Sequence, residues 1–359
     1  MKAIVLDDTN CREALFPFTE IRHVADIRIG VLTIRERWEL IAGRQVSCSN
    51  DNQPDHSPVE PGSQLVYPAN IIISRQFIDP DKEPDQPEKG YLFEDSDQVK
   101  TIHHPWDIFK WNDWAIRQDF ELLTAGRNTE PIPETVQVNF VRNIFIESGA
   151  KLSHCILNAS NGPIYIGKDA EIMEGCTIRG PFALCEGSTV KMGARIYGAT
   201  TIGPFCVVGG EIKNSVIFGY SNKAHDGYLG DSVIGEWCNL GAGTSGSNVK
   251  NTAGIVKVWD NSSKQDQPVG LKCGLMMGDY SRSAINTSFN TGTVVGISAN
   301  VFGSGLTPKY IPAFSWGYGD NTKYEFEKAT NDIRNWKKLK NKELTEPEIE
   351  RLKHIFDHL

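Results

Sequence analysis

The stretch EIKNSVIFGYSNKAHDGYLGDSVIGEWCNLGAGTSGSN, residues 211 to 248, gathers side chains that could do chemistry together. His225 stands among turn-forming residues, and an imidazole with an ordinary pKa of about 6.5 can accept a proton near neutrality. Glu211 offers a carboxylate that could hold such a ring in one tautomer, as the acid of a catalytic triad does. Lys213 supplies the cation that a phosphate needs, while Tyr228, Asn239 and Asn248 offer hydroxyl and amide groups to a polar ligand. Asn239 reads equally well as a stacking residue at a structural corner. Asp226, Gly227 and Asp231 read as turn formers.

A repeat leads up to this stretch. From residue 166 an aliphatic side chain falls on every sixth position: Ile166, Ile172, Ile178, Leu184, Val190, Ile196, Ile202 and Val208. A helix repeats every 3.6 residues and a strand every two, so neither accounts for a period of six. The period predicts a parallel β-helix, in which three hexapeptides make one triangular coil. Aliphatics would stack down its interior, with glycine at the corners. The pattern begins earlier, at Ile146 and Leu152, before a loop at NASNGP. It returns at Ile234 and Leu240, then continues less regularly at Met277, Phe289, Val295 and Val301. The β-helix is thus expected over 136–304, interrupted at 214–233 and 249–276. Insertions leave a solenoid on one side, often the binding side. The first interruption is therefore expected to carry His225 out of the coils.

Other segments read differently. Residues 1–105 form an α/β domain. Its first strand is MKAIVLDD, its helical pattern GVLTIRERWELIAGR, and its second buried run SQLVYPANIII. Residues 75–100 are acidic and proline-rich, and read as a surface loop. Over 106–135 a connecting helix carries Trp111, Trp114, Phe120 and Leu123 at helical intervals, between Pro105 and Gly126. The tail, 305–359, ends in the amphipathic helix EIERLKHIFDHL. It is expected to cap the solenoid or to meet another subunit.

Composition narrows the function. A net charge of −8 argues against nucleic acid as a partner, which would require a concentrated basic stripe. No run of 18 apolar residues exists to span a membrane, and the N-terminus lacks a signal-peptide layout, so a cytoplasmic location is expected. The eight cysteines form no C-x-x-C pair and read as small buried hydrophobes. His103-His104 has no suitably spaced partner and reads as a loop pair, so no metal site is expected.

Hexapeptide solenoids of this kind resemble the left-handed β-helix of acyl- and acetyltransferases. That resemblance implies left-handed coils and a homotrimer with sites between subunits. Residues 211–248 resemble the acetyltransferase half of the bifunctional bacterial enzymes that make UDP-N-acetylglucosamine. The shared features are Glu211-x-Lys213, His225 twelve residues on, Tyr228, Gly230-Asp231, Ile234-Gly235, NLGAGT from Asn239, and Asn248. The resemblance implies acetyl-CoA as co-substrate, an amino-sugar phosphate such as glucosamine-1-phosphate as acceptor, and His225 as the base. The family's arginine on an earlier coil matches Arg195 by spacing to Glu211, or Lys191 by coil phase. Departures are Val249 for a tyrosine, and Ala284-Ile285 where Gly-Ser is expected at the acetyl-CoA contact.

REALFPFTEIRHVADIRIGVLTIRERWEL resembles the opening of sugar-phosphate nucleotidyltransferases, in an abbreviated form. DDTNC replaces their phosphate-binding glycines, and RHVADIR stands where a Pro-Lys pair belongs, so Arg22 or Arg28 would supply the cation. Asp7, Asp8, Arg12 and Arg22 are the nucleotide-binding candidates, with Mg2+ needed only if this domain is active. An active UTP-dependent nucleotidyltransferase and a non-catalytic sugar-nucleotide-binding scaffold are the alternatives to an acetyltransferase.

Overall fold

The computed structural model describes residues 2–49, 64–78, 93–319 and 322–359. Its centre is a parallel β-solenoid with three faces. One face has nine strands, from Ile144–Ile146 to Tyr310–Ile311, and is called here the docked face. The tail face has eight, from Lys151–Leu152 to Asn300–Val301. The open face has six, from Gln137–Asn139 to Tyr228–Gly230, and continues as the pair Ser245–Gly246 with Ser288–Phe289. The inward aliphatics pair in register, Ile166 with Leu184, Leu184 with Ile202 and Ile202 with Ile217, so each stacks on its neighbour. Solenoid pairing continues beyond residue 304, to Tyr310–Ile311.

Residues 214–233 are not an excursion. They form a complete coil, with strands Val216–Ile217, Asn222–Lys223 and Tyr228–Gly230. The sixfold pattern fails there because the phase slips. Buried Ile212 pairs with Ile196, so the step from Val208 is four residues, and the next step, to Ile217, is five. Gly209 and Gly210 permit the short corner. A Cβ at Gly210, whose φ is +73°, would lie 2.8 Å from the His225 carbonyl oxygen. The second interruption does leave the coils. It is an antiparallel hairpin, Val256–Asp260 with Gln265–Gly270, whose Val256 and Val258 are buried against the N-terminal domain.

The docked face is buried on both sides. Its strands Ile144–Ile146, Ile164–Ile166 and Phe182–Leu184 contain no exposed residue. The N-terminal domain covers it. There strand Ala3–Asp7 lies parallel between Ser47–Cys48 and Gln64–Pro68, and Ile71–Ile73 pairs antiparallel with Val99–Thr101. Helix α1 (Ile34–Ala42) starts with a Thr33/Glu36 capping box and stops at left-handed Gly43. The predicted connecting helix is split into α2 (Asp107–Lys110) and α3 (Asn112–Thr124). α3 crosses the domain junction, with Ile116 and Phe120 packed against Phe145, Tyr165 and Ala183 of the docked face. A fully buried Arg37–Asp119 pair ties α1 to α3, with nitrogen–oxygen distances of 2.9 and 2.7 Å. Most of the acidic 75–100 stretch lies outside the described residues.

The corner between docked and tail faces departs from the glycine expectation. Phe205, Tyr220, Trp237, Tyr280 and Phe314 occupy it, all at positive φ. Phe205, Tyr220 and Trp237 stack with centroids 5.1 and 4.3 Å apart. Burial of these rings offsets the left-handed backbone cost. α4 (Phe326–Lys338) and α5 (Glu346–Asp357) pack along this column, through Ile333, Leu352 and Phe356. The tail therefore lies along the solenoid's side. Seven of the eight free cysteines are buried, and Cys11 is half-buried. Among the described residues no helix is long and apolar enough to cross a membrane.

Candidate functional site on the open face

The open face carries the polar motif. Register places Thr177, Arg195, Glu211 and Tyr228 in one outward column, and Tyr197, Lys213 and Gly230 in the next. Their outward direction follows from strand alternation, since Ile196, Ile212 and Leu229 between them point inward. Arg195 Nε lies 3.7 Å from Glu211, with both side chains substantially exposed. Arg195 is thus the cation beside Glu211, whereas Lys191 follows a strand of the tail face. Gly230 gives the Tyr228 ring its room, because a Cβ there would stand 2.2 Å from the phenol oxygen.

Asp231 organises the far end of this patch. It is 5% exposed and accepts hydrogen bonds from Asn214 Nδ2 at 2.6 Å and Asn248 Nδ2 at 2.5 Å. Asn248 also donates to the Tyr228 hydroxyl at 3.1 Å. Burial first, then the Asp231 charge, raises the Tyr228 pKa, so the phenol stays protonated and can donate. A reading of Gly-Asp as a turn overlooks this role; the missed signal is an acid spaced between two asparagines.

His225 sits on the corner between tail and open faces, three residues before Tyr228. Its side chain is exposed, and its imidazole has no hydrogen-bond partner among the described residues. The equivalent corners of neighbouring coils are Gly209-Gly210 and Gly241-Ala242-Gly243, which put no large side chain beside the ring. They also hold its backbone. Gly243 N donates to Asp226 O at 3.1 Å, and Glu211 N to Gly227 O at 3.2 Å. The expected Glu211–His225 hydrogen bond is absent within one chain, where Glu211 faces Arg195 instead. Asn239 is also apart, on the tail face, in register with Asn222 and 3.5 Å from its amide.

The N-terminal candidates have a different geometry. Asp7 accepts from Ser49 Oγ at 2.6 Å and from the Thr9 hydroxyl at 2.7 Å. Asp8, 1% exposed, accepts from Arg12 at 2.7 Å and lies 3.4 Å from His23 Nε2. Burial alone would raise both carboxyls, but these partners outweigh it and hold both below the usual value. Arg22 is drawn away to the solenoid, 2.5 Å from Asp279 and 3.6 Å from Glu236. Asp8 is thus buried among protein donors, while Asp7 is half-buried and takes its donors on Oδ1. No cluster of three or more His, Cys, Asp or Glu among the described residues is arranged for a metal. His103 and His104 use their backbone N–H groups to bond Asp107.

Comparison with known proteins agrees with this division. The sequence model of the family described as Sugar nucleotidyl transferase matches residues 3–52 and 57–128. The bifunctional sugar-1-phosphate nucleotidylyltransferase/acetyltransferase of Sulfurisphaera tokodaii is 29% identical over 230 residues, 61% of this chain and 47% of that protein. The bifunctional protein GlmU of Methanocaldococcus jannaschii is 32% identical over 139 residues, 39% of this chain and 31% of that protein. The chain thus spans less than half the length of these relatives. A solved Arabidopsis UDP-N-acetylglucosamine acyltransferase covers 64% of this chain and 90% of its own at 13% identity, with a TM-score of only 0.22. The solenoid is established by its own strand pairing. Over residues 3–52 and 57–128 the chain matches the Sugar nucleotidyl transferase model, and over a longer stretch it is similar in sequence to bifunctional sugar-1-phosphate nucleotidylyltransferase/acetyltransferases.

Proposed function

We propose that the protein is a cytoplasmic, acetyl-CoA-dependent N-acetyltransferase acting on an amino-sugar phosphate of the glucosamine-1-phosphate kind, in nucleotide-sugar biosynthesis. The observation that carries this reading is His225, an exposed and unbonded imidazole on a glycine-lined corner beside the Arg195–Glu211–Lys213–Tyr228–Asn248 patch. An ammonium has no lone pair, so the acceptor nitrogen must lose a proton to attack the thioester carbonyl. That first proton leaves to solvent; the free amine then attacks, and His225 takes a second proton from the nitrogen as the C–N bond forms. Collapse of the tetrahedral intermediate breaks the C–S bond, and the departing thiolate recovers a proton from the imidazolium. Lys213 and Arg195 supply the charge for the phosphate, while Tyr228 and Asn248 hydrogen-bond the sugar. A homotrimer, implied by the family resemblance, would bring a second copy against the open face and close the cleft around His225. The N-terminal domain then acts as a docking domain, because its buried Asp8 and Arg22 are spent on internal contacts.

Two assays run side by side test this. Thiol release from acetyl-CoA is measured with glucosamine-1-phosphate, and pyrophosphate release from UTP with N-acetylglucosamine-1-phosphate. Thiol release without pyrophosphate is expected. Pyrophosphate alone would favour the nucleotidyltransferase, and neither product would favour a sugar-nucleotide-binding scaffold.

A further inference from the structure

The tail-face ladder runs Leu152, Ile172, Val190, Val208, Lys223 and Leu240 in register. These rungs hold five aliphatics and one lysine, and the next two are a small buried serine, Ser283, and Val301. Lys223 is 2% exposed, and its ammonium donates to the backbone carbonyl of His225, two residues on. Burying an amine in such a ladder is costly, because desolvation disfavours the charge and one carbonyl replaces only part of the lost water. Burial accordingly pulls its pKa down to about 8. Val190, Val208 and Leu240 show that an aliphatic satisfies the packing at this position. The amine therefore requires another explanation, and its one hydrogen bond lies on the corner that presents the imidazole.

The corner has little else to anchor it from inside. Its outer contacts are backbone bonds to adjacent coils, and Gly210 and Gly227 both have positive φ. We infer that Lys223 is a positioning residue, which pins the His225 carbonyl from within the solenoid and thereby fixes the direction in which the imidazole leaves the corner. The inference rests on the proposed role of His225 for its catalytic consequence, but not for the tether itself.

Lys223→Met tests both parts, because it keeps the stem and removes the donor. With the full chain, kcat for thiol release is expected to fall at least tenfold, with KM for acetyl-CoA changed less than twofold. The melting temperature should be unchanged or higher, since an apolar side chain then completes the ladder. A purely structural lysine would instead lower melting temperature and activity together. Independently of activity, amide hydrogen exchange in the 224–228 segment should accelerate about tenfold, while that of the Val207–Val208 strand stays unchanged. Unchanged exchange at 224–228, or full kcat in the variant, would overturn the inference. Faster exchange with a wild-type chain inactive on every amino-sugar phosphate would uphold the tether and sink the acetyltransferase reading instead.

Discussion

Two polar clusters, on the N-terminal loop and the open face, contain similar residue types and end in opposite states. On the loop, Asp8 is buried against Arg12 and His23, and one Asp7 oxygen takes Ser49 and Thr9. On the open face, Arg195, Lys213 and His225 keep capacity to spare, and Glu211 meets its partner only at 3.7 Å. The difference comes from backbone direction. The loop folds back over a strand end and buries Asp8, whereas strand alternation turns every second open-face residue to solvent. Unused capacity, more than residue type, separates a candidate site from a structural knot.

Substitutions can break that contrast. The largest effect is expected from His225→Ala, which should lower kcat for thiol release by roughly 10²–10⁴-fold while leaving thermal unfolding unchanged. A variant with full activity would end the assignment. Asp8→Ala should do the reverse, costing about 1–3 kcal/mol in urea unfolding, because it leaves buried partners unpaired. Thiol release per folded molecule should persist. The pH dependence has a definite sign. Asp8 has a folded pKa below its unfolded value, so its contribution is complete above about pH 4 and fades as pH falls through the depressed value. The stability gap between wild type and Asp8→Ala should therefore close in acid, as read from urea midpoints at pH 7 and pH 3.

Lys213→Ala sharpens the contrast on a smaller scale. Losing one charge-assisted contact of about 1.5 kcal/mol should raise KM for the sugar phosphate roughly tenfold, with kcat nearly constant. Smallest is the stability effect of Arg195→Ala, within about 0.5 kcal/mol, since its bond to Glu211 is an exposed ion pair. A loss above about 2 kcal/mol would recast Arg195 as a structural residue.

The repeat from Ile166 to Val208 was legible because each inward position obeys one constraint, burial, at a constant spacing. The same counting fails after Val208. Two short corners shift the phase, and a complete coil then reads as an insertion. The aromatic corner column was equally hidden, because left-handed Tyr220 and Trp237 are favourable only once neighbouring rings and the tail helices cover them.

Sequence alone determined the solenoid, the α/β start, the buried thiols and the short list of reactive residues, all of which follow from local periodicity and side-chain type. Tertiary structure decided which of those residues meet. It joined Arg195 to Glu211 and Tyr228 to Asn248, and placed Asn239 on another face. It also sent Arg22 to Asp279 and Lys223 beneath His225. The physical reason is that a solenoid contact depends on the number of residues in every intervening corner. One shortened corner moves all later side chains relative to the coils before it.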